Sequence, residues 1–159
     1  MILLVHILFG VAVGSLVNNI PLAIVFAFLS HYFLDLFPHI EYNIEIRNKK
    51  QWPSSAKAMA GRQGKLWSIT KIAIDFLTGV LFIFLFSKNQ PINYICAFFA
   101  ILPDGITVLT NHFPSKFLKP HNKFHQEKIH FLKYKKISNF WRILSQVLAV
   151  VISILLLKF

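Results

Sequence analysis

The stretch FLSHYFLDLFPH, residues 28 to 39, sets His31, Asp35 and His39 into an otherwise apolar run. His31 and Asp35 are four residues apart, so on a helix they project from one face, about 5 to 6 Å apart. An imidazole and a carboxylate one turn apart make an N,O pair suited to zinc or manganese, which other helices can complete. Pro38 ends the helix and lets His39 turn back toward the same place. His121 and His125 repeat the four-residue spacing. With Cys96 as its single cysteine, the chain can build neither an internal disulfide nor a thiolate zinc site. A metal here is held by histidine and carboxylate.

The remaining acids and histidines follow a pattern. Asp35, Asp75 and Asp104 lie within apolar runs, whereas Glu41, Glu45 and Glu127 lie among lysines and arginines. An aspartate at the centre of a membrane helix costs about 2.5 to 3.5 kcal/mol on insertion scales, so three such residues must be paired, protonated, metal-bound or close to water. His6 begins the first apolar run, and His112, His121, His125 and His130 belong to one basic connection.

The elements that position these groups are read from hydropathy. The 159-residue chain is 55% apolar with 17 phenylalanines, and its mean hydropathy is +0.57. That composition points to a bilayer, and the length asks for one domain, 1–159. Five apolar runs, about 2 to 17, 20 to 37, 69 to 87, 92 to 111 and 139 to 157, approach the ~20 residues needed to cross a membrane as helices. The first is marginal. An all-α integral membrane bundle of about five transmembrane helices is therefore expected. The N-terminal run has no basic region before it and no small-residue cleavage site after it, which reads as a retained helix. Asn18-Asn19-Ile20-Pro21 and Ser87-Lys88-Asn89-Gln90-Pro91 are tight reversals that make antiparallel hairpins of runs one and two and of runs three and four.

The net charge of +11 is concentrated in the two long connections, about 40–68 and 112–138. By the positive-inside rule both are cytoplasmic, which places the N-terminus inside and the C-terminus outside. Contact with anionic lipid heads accounts for the basic excess, and nucleic acid is not the expected partner. Residues 53 to 65, PSSAKAMAGRQGK, read as the most loop-like segment. Trp52, Trp67 and Trp141 beside loop ends read as interfacial anchors. With this topology His6, His31, Asp35, His39, Asp75 and Asp104 all fall at the cytoplasmic end of the bundle, under the connection that carries the other histidines. Asp75 and Asp104 read either as members of a metal site or as helix-to-helix hydrogen-bonding partners. Pro103 breaks the helical ladder beside Asp104 and frees carbonyls for a polar pocket.

His6 followed by Gly10, LSHYFLDLFPH, Asp75 in a third helix, AILPDG at 100 to 105 and the loop HNKFHQEKIH together resemble the small bacterial and archaeal proteins classed as predicted membrane-bound metal-dependent hydrolases. The resemblance implies a helical membrane protein of the cell (inner) membrane with a His/Asp metal site, and the matching positions are His6, His31, Asp35, His39 and Asp104. Members of that family often carry a second acid two residues after Pro-Asp. Here that place is Ile106, which leaves a two-metal site without that ligand. The helix carrying His31, Asp35 and His39 also resembles one in zinc-dependent phospholipases C and related helical nucleases.

The leading expectation is a metal-dependent hydrolase at the cytoplasmic membrane face, acting on a phosphoester or ester of a lipid-like substrate. Zinc is the expected ion, with manganese as the alternative; zinc lowers the pKa of a bound water toward about 7. The expected ligands are His31, Asp35, His39, Asp104, His121 and His125, with His6, His112 and His130 as additional candidates. Asp75 and Asp104 are the expected acid–base groups, and Lys119, Lys123 and Lys128 would hold an anionic head group. The alternatives are a metal- or proton-handling membrane protein without catalysis, and a structural membrane protein whose basic loops bind anionic lipid.

Overall fold

The structure is a computed structural model and describes residues 3–40, 54–112, 116–130, 132 and 137–158. The described residues form helices and short connections, with no strand among them. Helix α1 spans Leu3–Ser15, α2 Ile20–Asp35, α3 Ser54–Phe86, α4 Pro91–His112 and α5 Lys119–Lys123; the last runs directly into a π-helical turn, Phe124–Ile129, and α6 spans Asn139–Lys158.

Helix α1 lies at the centre and packs against α2, α3, α4 and α6. It is apolar nearly all round, as a helix surrounded by others must be. Its approach to α4 depends on small residues. A Cβ on Gly10 would collide with the Cβ of Ala100, and one on Gly14 would lie 2.6 Å from Cys96 Sγ. The G-x-x-x-G spacing of Gly10 and Gly14 thus forms the flat face against which α4 sits, with Ala23 and Ala27 of α2 in the same core. Farther along, Gly79 of α3 meets the side chain of Ile7. Large apolar side chains point the other way: Phe26 and Phe33, Leu77 and Phe84, Phe98, Val147 and Ile152 are all exposed on the outer surface. Small and polar groups inside and large apolar groups outside are the arrangement lipid favours and water does not.

Three helical stretches, Ile69–Phe86, Pro91–Thr110 and Asn139–Lys158, are long and apolar enough to cross a membrane. The first two expected runs also form helices, but α1 has 13 residues and α2 has 16. At 1.5 Å per residue they are about 20 and 24 Å long, short of a ~30 Å hydrocarbon core.

Both tight reversals take the expected form. Asn19 caps α2, its side chain accepting from the Leu22 N–H at 3.1 Å, and Pro21 occupies the first turn. Between α3 and α4, Asn89 adopts φ +52°, a left-handed turn position that asparagine tolerates. Its side chain accepts from the Tyr94 hydroxyl at 2.7 Å.

One expectation is corrected. Residues 54 to 65 are not a loop: α3 begins at Ser54 and continues without interruption to Phe86. Ala, Lys, Met, Gln and Arg dominate Ala56–Lys65, and their helix propensity outweighs Gly61 and Gly64. The connection after α4 is partly helical as well, through α5 and the π-helical turn. Trp67 and Trp141 are exposed, Trp67 with the Lys71 ammonium over its ring. Trp52 and residues 41–53 of the first basic connection lie outside the described residues.

Candidate metal centre

Helix α2 supplies the heart of the site in its last turn. His31 Nε2 lies 3.1 Å from Asp35 Oδ2, the contact their four-residue spacing predicts. The chain then leaves the helix at Leu36, and His39 folds back so that its Nε2 comes 3.8 Å from Asp35 Oδ1. Helix α6 holds this returning segment, the Ser145 hydroxyl donating to the Pro38 carbonyl and Gln146 Nε2 donating to the Ile40 carbonyl.

Three other elements converge on the same carboxylate. From α1, His6 stacks on the His31 ring with centroids 4.0 Å apart and places Nε2 3.2 Å from Asp35 Oδ1. From the turn after α5, His125 and His130 place their Nε2 atoms 3.1 and 3.2 Å from Asp35 Oδ2. From α4, Asp104 brings Oδ1 to 3.6 Å from His31 Nε2. The π-helical backbone is what unites His125 and His130. Five residues apart, they would diverge by well over 90° on an α-helix, but the wider turn, closed by His130 N–H to the His125 carbonyl at 3.2 Å, aligns them.

Orientation of the rings follows from the hydrogen bonds on their far sides. His31 Nδ1 donates to the Ala100 carbonyl at 2.8 Å, and His39 Nδ1 donates to the Phe37 carbonyl at 2.7 Å. The Thr107 hydroxyl spends its proton on the Pro103 carbonyl, so its oxygen accepts from His125 Nδ1 at 3.1 Å. Nδ1 thus carries a proton in all three rings, and in the neutral form of each the free lone pair is on Nε2, facing Asp35. His31 Nε2 and His125 Nε2 are 3.2 Å apart, and His125 Nε2 and His130 Nε2 are 3.3 Å apart. Lone pairs at such distances, gathered round an anion with no access to water, require positive charge between them. Asp35, His6, His31 and His125 are all essentially inaccessible to solvent.

The donor spacing fits a metal ion. Bonds of about 2.0 to 2.1 Å in a tetrahedral shell put ligand atoms about 3.3 Å from one another. His31, Asp35 and His125, with donor atoms 3.1 to 3.2 Å apart, come close to this spacing, and two looser sets, His6 with His31 and Asp104 and Asp35 with His39 and His130, lie within 4.8 Å. Nitrogen and oxygen donors without sulfur suit zinc, manganese and neighbouring divalent metals. The buried His/Asp cluster can thus hold a metal ion.

Of the residues singled out in the sequence, the structure brings together His31, Asp35, His39, Asp104 and His125, and draws in His6 and His130. Two others stand apart from the three donor sets. His121 Nε2 accepts from the Tyr32 hydroxyl at 2.8 Å, with its ring 5.8 Å from that of His125. Burial, together with His125 and His31, holds its imidazole below the usual range. Asp75 accepts the Leu4 N–H at 3.0 Å and so caps the first turn of α1, whose N-terminal amides need acceptors. Lys119, Lys123 and Lys128 are exposed on α5 and the turn after it. The side chain of His112, at the end of α4, lies outside the described residues. Sequence spacing gave His130 no partner because H-x-x-x-x-H is not an α-helical same-face pair, and Thr107 and Tyr32 carried no signal as supports.

Fold and site together define an all-helical bundle with apolar helices fit for a membrane and a buried His/Asp cluster at one end. No family model matches the chain, and neither a curated protein nor a solved structure matches it.

Proposed function

We propose that this chain is an integral protein of the cell (inner) membrane and a metal-dependent hydrolase, acting at the cytoplasmic face on a phosphoester or ester of an amphipathic, lipid-like substrate. The observation that supports this most is the convergence of five imidazole Nε2 atoms on the Asp35 carboxylate. In this reading donors from among His6, His31, His39, His125, His130, Asp35 and Asp104 hold divalent metal, with zinc favoured and manganese the alternative. When bound, the ion supplies Lewis acidity, which polarises the scissile oxygen and acidifies water. Asp104, whose side chain is 36% exposed while Asp35 is sealed, is the carboxylate at the mouth of the site, where water and substrate can reach the metal. Lys119, Lys123 and Lys128 hold the anionic head group. The ring nitrogens bonded to Ala100, Phe37 and Thr107 keep the opposite nitrogens aimed inward through turnover.

The positive-inside rule puts both basic connections in the cytoplasm, with the N-terminus inside and the C-terminus outside. The site then opens where a lipid head group meets water. Purified protein assayed against a panel of phospholipids and lipid phosphates tests the reading: wild type releases product, Asp35→Asn does not, and metal removal followed by zinc restores turnover. Equal activity in wild type and Asp35→Asn overturns it.

Complete burial of the central ligands favours a second reading, in which the ion is held or passed on without catalysis. Metal flux in proteoliposomes without hydrolysis of any substrate in the panel selects that reading.

A further inference from the structure

We infer that the cluster is built for two divalent ions bridged by Asp35. This rests on the metal-centre reading but not on hydrolysis. The donor sets contain seven side chains, His6, His31, His39, His125, His130, Asp35 and Asp104. A tetrahedral N/O site takes four. The sets overlap only at His31 and Asp35. An imidazole nitrogen has one lone pair and serves one ion, whereas a carboxylate has two oxygens and can serve two. Asp35 is thus the shared residue able to bridge.

Its oxygens are turned toward different partners. Oδ1 faces His6 at 3.2 Å and His39 at 3.8 Å, while Oδ2 faces His31 and His125 at 3.1 Å and His130 at 3.2 Å. His6, His31 and Asp104, with one oxygen of Asp35, make one four-donor shell. His39, His125 and His130, with Asp35 again, make the other. Each shell joins helix α1 or the π-helical turn to α2, so the two ions would fasten different elements to the same carboxylate. His6 adds an independent sign of a missing partner: it is wholly buried, and its Nε2, the nitrogen aimed at Asp35, has no hydrogen-bond partner among the described residues. Two carboxylates offset half the charge of two dications, and the remaining positive charge favours a substrate with an anionic phosphate.

The test is stoichiometry. Detergent-purified full-length protein, saturated with zinc and dialysed, is measured by plasma mass spectrometry against amino-acid analysis. Two zinc ions per chain are expected for wild type, one each for Asp104→Ala and His130→Ala, and fewer than one for Asp35→Ala. The cobalt form of wild type is expected to show magnetic coupling by electron paramagnetic resonance, lost in either single-shell variant. Circular dichroism checks the helicity of each variant, and where one fails to fold, wild-type stoichiometry and cobalt coupling decide. One ion per chain in saturated wild type, or loss of all metal from a folded Asp104→Ala or His130→Ala protein, overturns the two-ion assignment. Two ions without turnover leave the bridge standing and overturn the hydrolase reading; turnover with one ion does the reverse.

Discussion

Thr107 of α4 and His125 of the π-helical turn are joined by a hydrogen bond of 3.1 Å in which the hydroxyl oxygen accepts from Nδ1. The donor role of that hydroxyl is already taken by the Pro103 carbonyl, so the bond selects one tautomer of His125. Replacement of Thr107 by valine keeps the shape and removes the acceptor. The expected outcome is a protein that folds normally and binds zinc about 10- to 100-fold more weakly. Competition titration with a chelating dye measures it, and unchanged affinity would show that Thr107 does not orient the ring.

Gly10 lets α1 pack directly against Ala100 of α4. Gly10→Leu inserts a branched side chain where even one carbon meets the Cβ of Ala100. Overpacking of this kind costs about 1 to 3 kcal/mol and here also pushes α1, with His6, away from α4 and Asp104. A lower thermal midpoint in detergent is expected, together with reduced zinc content. Gly105→Ala is the control, since a Cβ there meets nothing within 4 Å.

Asp75 distinguishes a structural from a chemical role. As the acceptor for Leu4 N–H it is expected to stabilise α1 on the scale of a helix cap, about 0.5 to 2 kcal/mol. Asp75→Ala should lower the unfolding midpoint while zinc stoichiometry stays at the wild-type value. A stable Asp75→Ala protein that has lost turnover would place Asp75 in the chemistry instead.

His121 carries a pH dependence. Burial and neighbouring imidazoles lower its folded-state pKa from the ordinary value of 6.5, so the folded chain binds fewer protons than the unfolded one. The stabilising Tyr32–His121 contact is therefore complete above pH 6.5 and weakens as pH falls below it. Hydrogen exchange of residues 119–129 should quicken on acidification, and His121→Gln should flatten that dependence. Exchange that quickens equally in His121→Gln would assign the effect to another group.

Much of the framework was legible from hydropathy, because apolar runs bounded by the Asn-Asn-Ile-Pro and Asn-Gln-Pro turns leave few alternatives to helices. His31 and Asp35 were legible for the same reason, since one helix carries both. His6 was visible only as a candidate. Its place depends on the distance between α1 and α2, which Gly10, Ala23 and Ala27 set through contacts that spacing along the chain does not encode. The contact of Asp75 with the start of α1 was not legible, because depth in the membrane says nothing about which side of α3 faces α1. The helical start of α3 was obscured by serines and glycines that read as loop residues, although propensity summed over the segment favours a helix.

The π-helical turn has a consequence for how this region tolerates insertion and deletion. Its extra residue is an insertion carried within a helix, and removing one residue would let the segment relax to the commoner α-helical pitch. Deletion of Glu127 would convert the five-residue interval between His125 and His130 into four, which on an α-helix again sets both imidazoles on one face. Shortening the chain there is thus a milder lesion than replacing His130, and the reverse change, a second inserted residue, would turn that histidine away from Asp35 altogether.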